Sequence, residues 1–295
     1  MNPIALHNGA LHHRGHGGRR GQAVPGFPAV SSVSSVVESL RTMDWPSIES
    51  SLDAQGFAKL PAILAADECE SLAAFYQNDS LFRSRIDMAR FRFGAGEYKY
   101  FAAPLPPIVQ TLRTDLYARL APIANRWLVR LTKATAGSSE GLRSANSETH
   151  AEDGATKHET PSGYPSTLDA FLRKCHAAGQ TRPTPLLLQY AAGDFNALHQ
   201  DVYGEHVFPL QMTILLSEPE KDFTGGEFVL TEQRPRMQSR AEVVPLRQGD
   251  AVVFAVRDRP AQGTRGTYRA RMRHGVSRLR SGHRYTMGVI FHDAT

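Results

Sequence analysis

The chain has 295 residues, enough for one large domain with attachments or for two small domains. Its hydrophobic content of 41% suffices for a packed core, yet no stretch is apolar for long enough to cross a membrane. The two cysteines, Cys69 and Cys175, exclude a disulfide framework and a thiolate zinc site and favour a cytoplasmic location, while the net charge of +5 permits nucleic-acid binding without requiring it.

Composition and periodicity divide the chain into four parts. Residues 1–40 are rich in Gly, His and Arg and lack the apolar run of a secretory signal, so we expect a disordered leader. Residues 41–132 predict a helical support region, because apolar side chains recur at three-to-four spacing over residues 107–131, with one short strand predicted at 56–60. Residues 133–163 are mostly small or polar, which predicts a flexible, low-complexity insertion.

The last part, residues 164–295, begins with a helical pattern and changes to two-residue alternation from Thr184. The strands that this alternation predicts are 186–190, 210–216, 227–231, 241–246, 251–256, 268–274 and 283–291. Many short strands after a helical block predict a mainly β fold with flanking helices (α+β), built as a β-sandwich or jelly roll.

His199 and Asp201 are candidate metal ligands. Residues two apart in an extended segment point to the same side, so both side chains can face one ion. Two histidines and one carboxylate are the ligand set of non-haem iron(II) oxygenases. The triplet alone is weak, because a chain with 12 histidines readily contains such a spacing by chance, and on the triplet alone a turn-capping aspartate near a surface histidine is the better explanation.

His274 is the third candidate ligand. It shares one strand face with Ala270 and Met272, whereas arginines occupy the other face, so His274 is expected to point inward. Arg284 and Thr286 follow on a second strand and share one of its faces. Burying a guanidinium is costly without a charged partner, and a dicarboxylate supplies a partner that suits its planar fork. This pair therefore predicts a dicarboxylate co-substrate.

These residues resemble a known family. The run 186–295 is similar to the prolyl-hydroxylase-like branch of the 2-oxoglutarate- and Fe(II)-dependent dioxygenases, and more closely to a bacterial uncharacterised group within that superfamily. The segments that carry the resemblance are 188–194 (LQYAAGD), 199–201 (HQD), 223–228 (FTGGEF), 248–254 (QGDAVVF), 274–276 (HGV) and 284–286 (RYT).

The resemblance implies a double-stranded β-helix, or jelly roll, with the N-terminal helical region packed on it. It implies an enzyme that uses Fe(II), 2-oxoglutarate and O₂, with the two histidines and the aspartate as iron ligands. Arg284 with Thr286 is then expected to bind the distal carboxylate of 2-oxoglutarate. Tyr190 matches a tyrosine that reaches the same carboxylate, although it shares a strand face with Leu186 and Leu188 and is also explained as a core aromatic.

Substrate-contacting residues are less well defined by the sequence. Tyr203 and His206 follow the first two candidate ligands, and Gln211 lies on the next strand. Arg92 belongs to a stretch that mixes cations with aromatic residues, which suits either a lid or a surface that stacks on nucleobases. A structural role explains each of these four residues equally well.

Three functions remain open at this stage. The first is hydroxylation of a protein side chain, such as proline, or of a small metabolite. The second is oxidative demethylation of alkylated nucleic acid, which the basic charge suits. The separation of His274 and Arg284 resembles the hydroxylases more than the alkylation-repair enzymes, so nucleic acid is not the favoured partner. The third is a non-catalytic jelly-roll binding module, which the convergence of four polar groups disfavours.

Overall fold

The computed structural model describes residues 33–143, 163–264 and 266–295. Its α-helices are α1 (Val33–Thr42), α2 (Trp45–Gln55), α3 (Ala66–Ala74), α4 (Pro107–Arg143) and α5 (Leu168–Ala177). Its short 3₁₀ helices cover Phe75–Gln77, Asp79–Leu81 and Met88–Phe91. Within these ranges, we find no helix that combines the length and the apolar character needed to cross a membrane.

The strands fall into an N-terminal and a C-terminal group. Those before α4 are β1 (Phe57–Leu60), β2 (Phe82–Asp87), β3 (Gly94–Ala95) and β4 (Glu97–Phe101). Those after α5 are β5 (Leu186–Ala191), β6 (Phe195–His199), β7 (Leu210–Leu215), β8 (Phe223–Gly225), β9 (Phe228–Gln233), β10 (Arg240–Val244), β11 (Ala251–Ala255), β12 (Asp258–Gly263), β13 (Gly266–Val276) and β14 (Leu279–Val289).

The strands form two antiparallel sheets. The larger has eight strands in the order β1-β11-β7-β14-β5-β4-β2, with β8 paired to β14. The smaller has six strands in the order β10-β9-β13-β6-β3, with β12 paired to β13. The inner faces of the two sheets meet where Phe228 of β9 packs against Phe254 of β11, with ring centroids 5.0 Å apart. The arrangement is the predicted jelly roll.

Helix α4 braces the jelly roll through one apolar stripe. It contacts α1 on one side and strands β12 and β13 on another. Burying a large apolar side chain contributes about 1.5–3 kcal/mol, so a stripe of six anchors the helix firmly. The side chains of this stripe are Ile108, Leu112, Leu116, Leu120, Ile123 and Trp127. The spacing of these residues predicted a helix here, and the structure confirms it.

Two predicted boundaries need correction. The proposed leader lies outside the described residues up to position 32, but its last part, 33–40, belongs to α1. The proposed insertion lies outside the described residues over 144–162, but its first part continues α4 to Arg143. Small and polar residues such as those of 133–143 do not stop a helix that a preceding apolar stripe has already anchored.

The support region contains more strands than the single one predicted at 56–60, which is a third correction; the predicted strand is β1. The region contributes β1, β2 and β4 to the larger sheet, where β4 pairs with β5 on one side and with β2 on the other. It also contributes β3, which pairs with β6. Composition favoured helices in this region, but pairing with distant strands of the C-terminal group (β1 with β11, β3 with β6 and β4 with β5) decided its structure.

Candidate active site

The smaller sheet brings three candidate metal ligands together. His199 ends β6, His274 lies in β13, and the two residues are direct partners across this antiparallel pair. Asp201 follows β6 closely. His199 Nε2 lies 3.5 Å from Asp201 Oδ1, and His274 Nε2 lies 3.3 Å from Asp201 Oδ2. One potential ligand atom from each residue lies within 4.8 Å of the others. These three residues are called the triad below.

Neighbouring groups orient two members of the triad. Nδ1 of His199 lies 2.8 Å from the carbonyl oxygen of Ala197, so Nδ1 donates its proton there and Nε2 is the ring nitrogen that faces Asp201. The carboxylate of Asp201 accepts a hydrogen bond at each oxygen. Tyr203 Oη donates to Oδ1 at 2.7 Å, and Gln211 Nε2 donates to Oδ2 at 2.8 Å. The triad is therefore aligned by contacts within the protein.

The electrostatics of the triad suit a cation. Burial opposes a charge on Asp201, but the two histidines outweigh it and hold the pKa of the carboxyl well below 3.8. Burial, with a smaller effect of His199, lowers the pKa of His274 to about 4. Near neutral pH the site thus offers an ionised carboxylate and a neutral imidazole at His274, the protonation states in which these groups bind metals.

Arg284 is buried in the larger sheet, and the part of the chain that the structure describes gives it no acidic partner. Its exposed fraction is 1%, and Thr286, two residues along β14, accepts a hydrogen bond from Nη1. Burial lowers the pKa of Arg284 to about 10, so the guanidinium stays charged near neutral pH. Among the described residues, no carboxylate lies within 4.0 Å of it and Nε has no hydrogen-bond partner.

Tyr190 lies beside this arginine. It is the cross-strand partner of Arg284, and the guanidinium carbon lies 5.6 Å from the centroid of its ring. The Tyr190 hydroxyl accepts a hydrogen bond from Asn196 Nδ2 at 3.3 Å. Its ring belongs to a small buried cluster with Met88 and Phe223. Tyr190 therefore packs as a core aromatic and also lies next to the proposed carboxylate-binding group.

A cavity of about 150 Å³ between the two sheets connects the triad with Arg284. Twelve polar side chains of the described residues line this cavity, and its other lining residues are apolar or glycine, so the polar groups converge on an otherwise non-polar space. The polar side chains that line the cavity are Tyr98, Tyr190, Asn196, His199, Gln200, Asp201, Tyr203, Gln211, Thr213, His274, Arg284 and Thr286.

The residues present fit an iron(II) ion and a dicarboxylate. The triad offers two imidazole nitrogens and one carboxylate, the donor set of the iron(II) oxygenases, and leaves room for further ligands. A buried guanidinium without an acidic partner needs an anion, and a carboxylate matches its planar fork. Both requirements meet in one cavity, so the site can hold a metal and an organic acid side by side.

The structure brings together some of the predicted substrate residues and separates others. Tyr203 and Gln211 line the cavity beside Asp201. His206 does not line it, and its backbone instead exchanges two hydrogen bonds with the side chain of Gln180. Arg92 is also outside the lining, because it is exposed at the end of a 3₁₀ helix with a φ of 60°. Neither His206 nor Arg92 therefore reaches the space beside the triad.

The sequence indicated Phe93 and Tyr98 only as part of a lid or of a surface that stacks on nucleobases, and it did not indicate Asn196 or Phe254 as site residues. Tyr98 and Phe93 come from the N-terminal region, and Asn196 comes from the unpredicted strand β6. Phe254 packs on the ring of His274, with centroids 4.7 Å apart. The alternation of Tyr98, Lys99 and Tyr100 was an available signal of a strand, because a two-residue period places both tyrosines on one face.

Comparison with known proteins assigns the chain to a family. The model of the Oxygenase-NA family, described as an oxygenase catalysing oxidative methylation of damaged DNA, matches residues 96–157 and 145–294. A Mycobacterium tuberculosis protein, described as uncharacterized in the strains CDC 1551 and H37Rv, is 47% identical over 194 residues. This alignment covers 66% of the present chain and 72% of the relative.

Solved structures with a similar course of the chain include two bacterial enzymes. A Pseudomonas putida prolyl-4-hydroxylase is 14% identical, with a TM-score of 0.44 over 85% of this chain and 99% of the other. A Burkholderia pseudomallei oxidoreductase of the 2OG-Fe(II) oxygenase family is 15% identical, with a TM-score of 0.43 over 86% and 94%. On the family match, which spans most of its length, the chain belongs to the Oxygenase-NA family and is an oxygenase, and its triad has the ligand set of iron(II) oxygenases.

Proposed function

We propose that this oxygenase removes methyl groups from methylated bases of DNA by oxidising the methyl carbon. The observation that carries the oxygenase chemistry is the convergence, in one cavity, of the triad and a buried arginine that lacks an acidic partner in the described parts of the chain. DNA as the substrate is supported by the family description, which names damaged DNA, and by the net charge of +5.

Different residues of the site would bind the metal, bind the co-substrate and orient the metal ligands. The triad would hold iron(II), and Arg284 with Thr286 would hold the distal carboxylate of 2-oxoglutarate, beside Tyr190. When bound, iron and 2-oxoglutarate supply O₂ activation, in which one oxygen atom enters succinate as CO₂ leaves and the other enters a substrate C–H bond. Tyr203 and Gln211 fix the Asp201 carboxylate, and the apolar cavity lining limits the access of water.

The chemistry of a methyl group on nitrogen sets the direction of the reaction. Insertion of oxygen converts the N-methyl group to an N-hydroxymethyl group. Its C–N bond then breaks, the electron pair and the hydroxyl proton pass to nitrogen, and formaldehyde leaves. In the balanced reaction, the methyl carbon and 2-oxoglutarate are both oxidised and O₂ is reduced. Such chemistry removes a methyl group and does not add one, which is why we propose demethylation.

The lining of the cavity also supports a flat, aromatic substrate. Phe93 and Tyr98 form part of its wall, and the Tyr98 ring meets that of Tyr100 edge-on at 5.3 Å. Aromatic rings stack on nucleobases of any sequence because every base has a π-face.

Hydroxylation of a protein side chain is the competing proposal, and it is favoured by the separation of His274 and Arg284, which resembles that of the hydroxylases.

The test is coupled turnover with a defined methylated oligonucleotide. Wild-type protein, Fe(II) and 2-oxoglutarate are incubated with a single-stranded DNA 12-mer carrying one N-methylated base, and succinate and formaldehyde are measured. We expect formaldehyde only with the methylated strand and succinate in at least equal amount. The His199→Ala variant should be inactive, whereas His283→Ala, which removes an exposed histidine on β14, should retain activity.

Two results would contradict the proposal in different ways. Equal inactivity of wild type and His199→Ala, with metal bound to the wild type, would refute the oxygenase chemistry. Succinate formation that is stimulated by proline-containing peptides, and by no methylated oligonucleotide, would replace DNA demethylation with protein hydroxylation. The peptide panel is therefore run beside the oligonucleotides under the same conditions.

A further inference from the structure

Two phenylalanines stack on each other at the surface beside the cavity. Phe91 and Phe93 lie between β2 and β4, with ring centroids 5.8 Å apart and an angle of 20° between the ring planes. Their exposed fractions are 38% and 36%, although large aromatic side chains are normally well buried. Phe93 also lines the cavity, so the stacked pair extends from the cavity wall out to solvent.

The backbone holds this pair in place next to the triad. Phe93 N donates to the carbonyl of Met88 at 3.1 Å, and the carbonyl of Phe93 accepts from Ala197 N, two residues before His199, at 2.7 Å. Gly94 pairs with Asn196, and a Cβ at Gly94 would lie 2.2 Å from the Phe195 carbonyl oxygen. The aromatic pair is thus attached to the strand that ends at a candidate metal ligand.

The surroundings of the pair carry positive charge. Arg90 and Arg92 flank Phe91 in sequence and are both exposed. Arg90 has an acidic neighbour, Asp87, at 3.6 Å, whereas the described residues place no carboxylate within 4.0 Å of Arg92. Arg278, also exposed, lies over the ring of Phe195, the residue that pairs with Ala95. Exposed aromatic rings between arginines suit a nucleic-acid strand, because its bases can stack on the rings and its phosphates can pair with the arginines.

A base inside a duplex cannot reach the triad. The cavity lies between the two sheets, and any base that enters it has to leave its stack. The cost is lowest for single strands, and it is offset when an aromatic surface replaces the lost stacking. Phe93 is part of the cavity lining and stacks on Phe91. The nucleotide next to a base inserted in the cavity would emerge beside this pair.

We propose that Phe91 and Phe93 form a stacking platform for the base adjacent to the one in the cavity, which makes single-stranded DNA the preferred form of the substrate. This inference rests on the proposed function, because it presupposes a DNA substrate. It assigns Phe91 a role in binding the strand, outside the catalytic cavity, and assigns Arg90 and Arg92 to the phosphates on either side.

The test compares DNA binding by Phe91 variants through fluorescence anisotropy. Labelled 12-mers, single-stranded and duplex, are titrated with wild type, Phe91→Ala, Phe91→Trp and Met237→Ala. Met237 is the matched control, because it is exposed and follows β9, which is separated from β3 in the smaller sheet. We expect Phe91→Ala to weaken single-strand binding about tenfold or more, Phe91→Trp to preserve it, and Met237→Ala to change nothing.

Controls separate the platform from the proposed function. The thermal midpoint and the oligonucleotide-independent turnover of 2-oxoglutarate should be the same in Phe91→Ala and in wild type, because Phe91 does not line the cavity. Demethylation by wild type combined with unchanged single-strand affinity in Phe91→Ala would overturn the platform alone. A preference of wild type for duplex over single strand would also overturn it. Failure of wild type to bind or demethylate any oligonucleotide would overturn both proposals.

Discussion

His199 and His274 lie opposite each other on neighbouring antiparallel strands, with ring centroids 4.1 Å apart. Two imidazoles this close, beside the carboxylate of Asp201, form a site that gains stability when a cation occupies it. The antiparallel register of β6 and β13 therefore sets the geometry of the candidate metal centre before any ion binds.

The first prediction concerns stabilisation by a metal. Nickel(II) at about 100 times its dissociation constant should raise the free energy of unfolding by about 2.7 kcal/mol, because it binds the folded chain. Thermal denaturation with and without metal measures this gain, and a chelator should reverse it. His283→Ala should keep the gain and His274→Ala should lose it. An equal gain in His274→Ala would place the ion elsewhere.

The second prediction concerns the hydroxyl that contacts Asp201. Burial and the nearby carboxylate raise the pKa of Tyr203, so its hydroxyl keeps the proton that it donates. Tyr203→Phe should weaken metal binding about tenfold, since a misaligned carboxylate is a poorer ligand. Calorimetric titration with nickel(II) measures the affinity, and Tyr268→Phe, near the start of β13, is the control. Unchanged affinity would mean that Gln211 suffices to orient Asp201.

The third prediction separates co-substrate binding from metal binding. Arg284→Lys keeps the positive charge but loses the planar fork, so the KM for 2-oxoglutarate should rise about tenfold or more while the affinity for metal stays the same. Arg280→Lys changes an exposed arginine on the same strand and should have no effect. A loss of metal affinity in Arg284→Lys with an unchanged KM would argue against a carboxylate at Arg284.

The fourth prediction concerns stability and pH at Asp250. This buried carboxylate accepts hydrogen bonds from the backbone N–H groups of Ala62 and Arg247 and pairs with Lys59 at 2.7 Å. Burial opposes its charge, but these contacts outweigh burial and lower its pKa below 3.8. A carboxyl whose pKa is lower in the folded protein stabilises the fold at any pH above its pKa in the unfolded chain. This contribution is lost as the pH falls through the pKa of the folded protein.

Asp250→Asn should therefore destabilise the protein by about 2 kcal/mol at pH 7, and the difference should shrink as the pH falls below about 4. Urea unfolding of both proteins between pH 3 and pH 7 measures it. The exposed Glu242→Gln on β10 serves as the control. A difference that stays constant over this range would show that the charge of Asp250 contributes nothing.

Most strands of the C-terminal half, β6, β8 and β12 excepted, could be predicted because their signals are local. Alternation in β13 placed His274 on the face opposite its arginines, and the structure buries His274 while leaving Arg271 and Arg273 exposed. The same reasoning placed Arg284 and Thr286 on one inward face. A strand's two-residue period is a property of the backbone, so it holds before the strand finds its partners.

The surroundings of the site could not be predicted in this way. Arg92 and His206 were sensible candidates by position in the sequence, yet neither lines the cavity, whereas Phe93 does. The substrate class stayed open as well, with DNA the less favoured choice until the family match supported it. Neighbours of a reactive centre come from distant segments, and their identity depends on which strands pair.

The sequence by itself determined the candidate ligands and the inward direction of Arg284, because residue type and strand alternation can be recognised within a short stretch of sequence. Tertiary structure alone decided that β4, from the N-terminal region, extends the larger sheet and brings Tyr98 to the cavity wall. It also decided that β3 pairs with β6, which fixes the Phe91–Phe93 stack beside the triad. The physical reason is that pairing between distant strands depends on the packing of the whole sheet, which no local stretch of residues specifies.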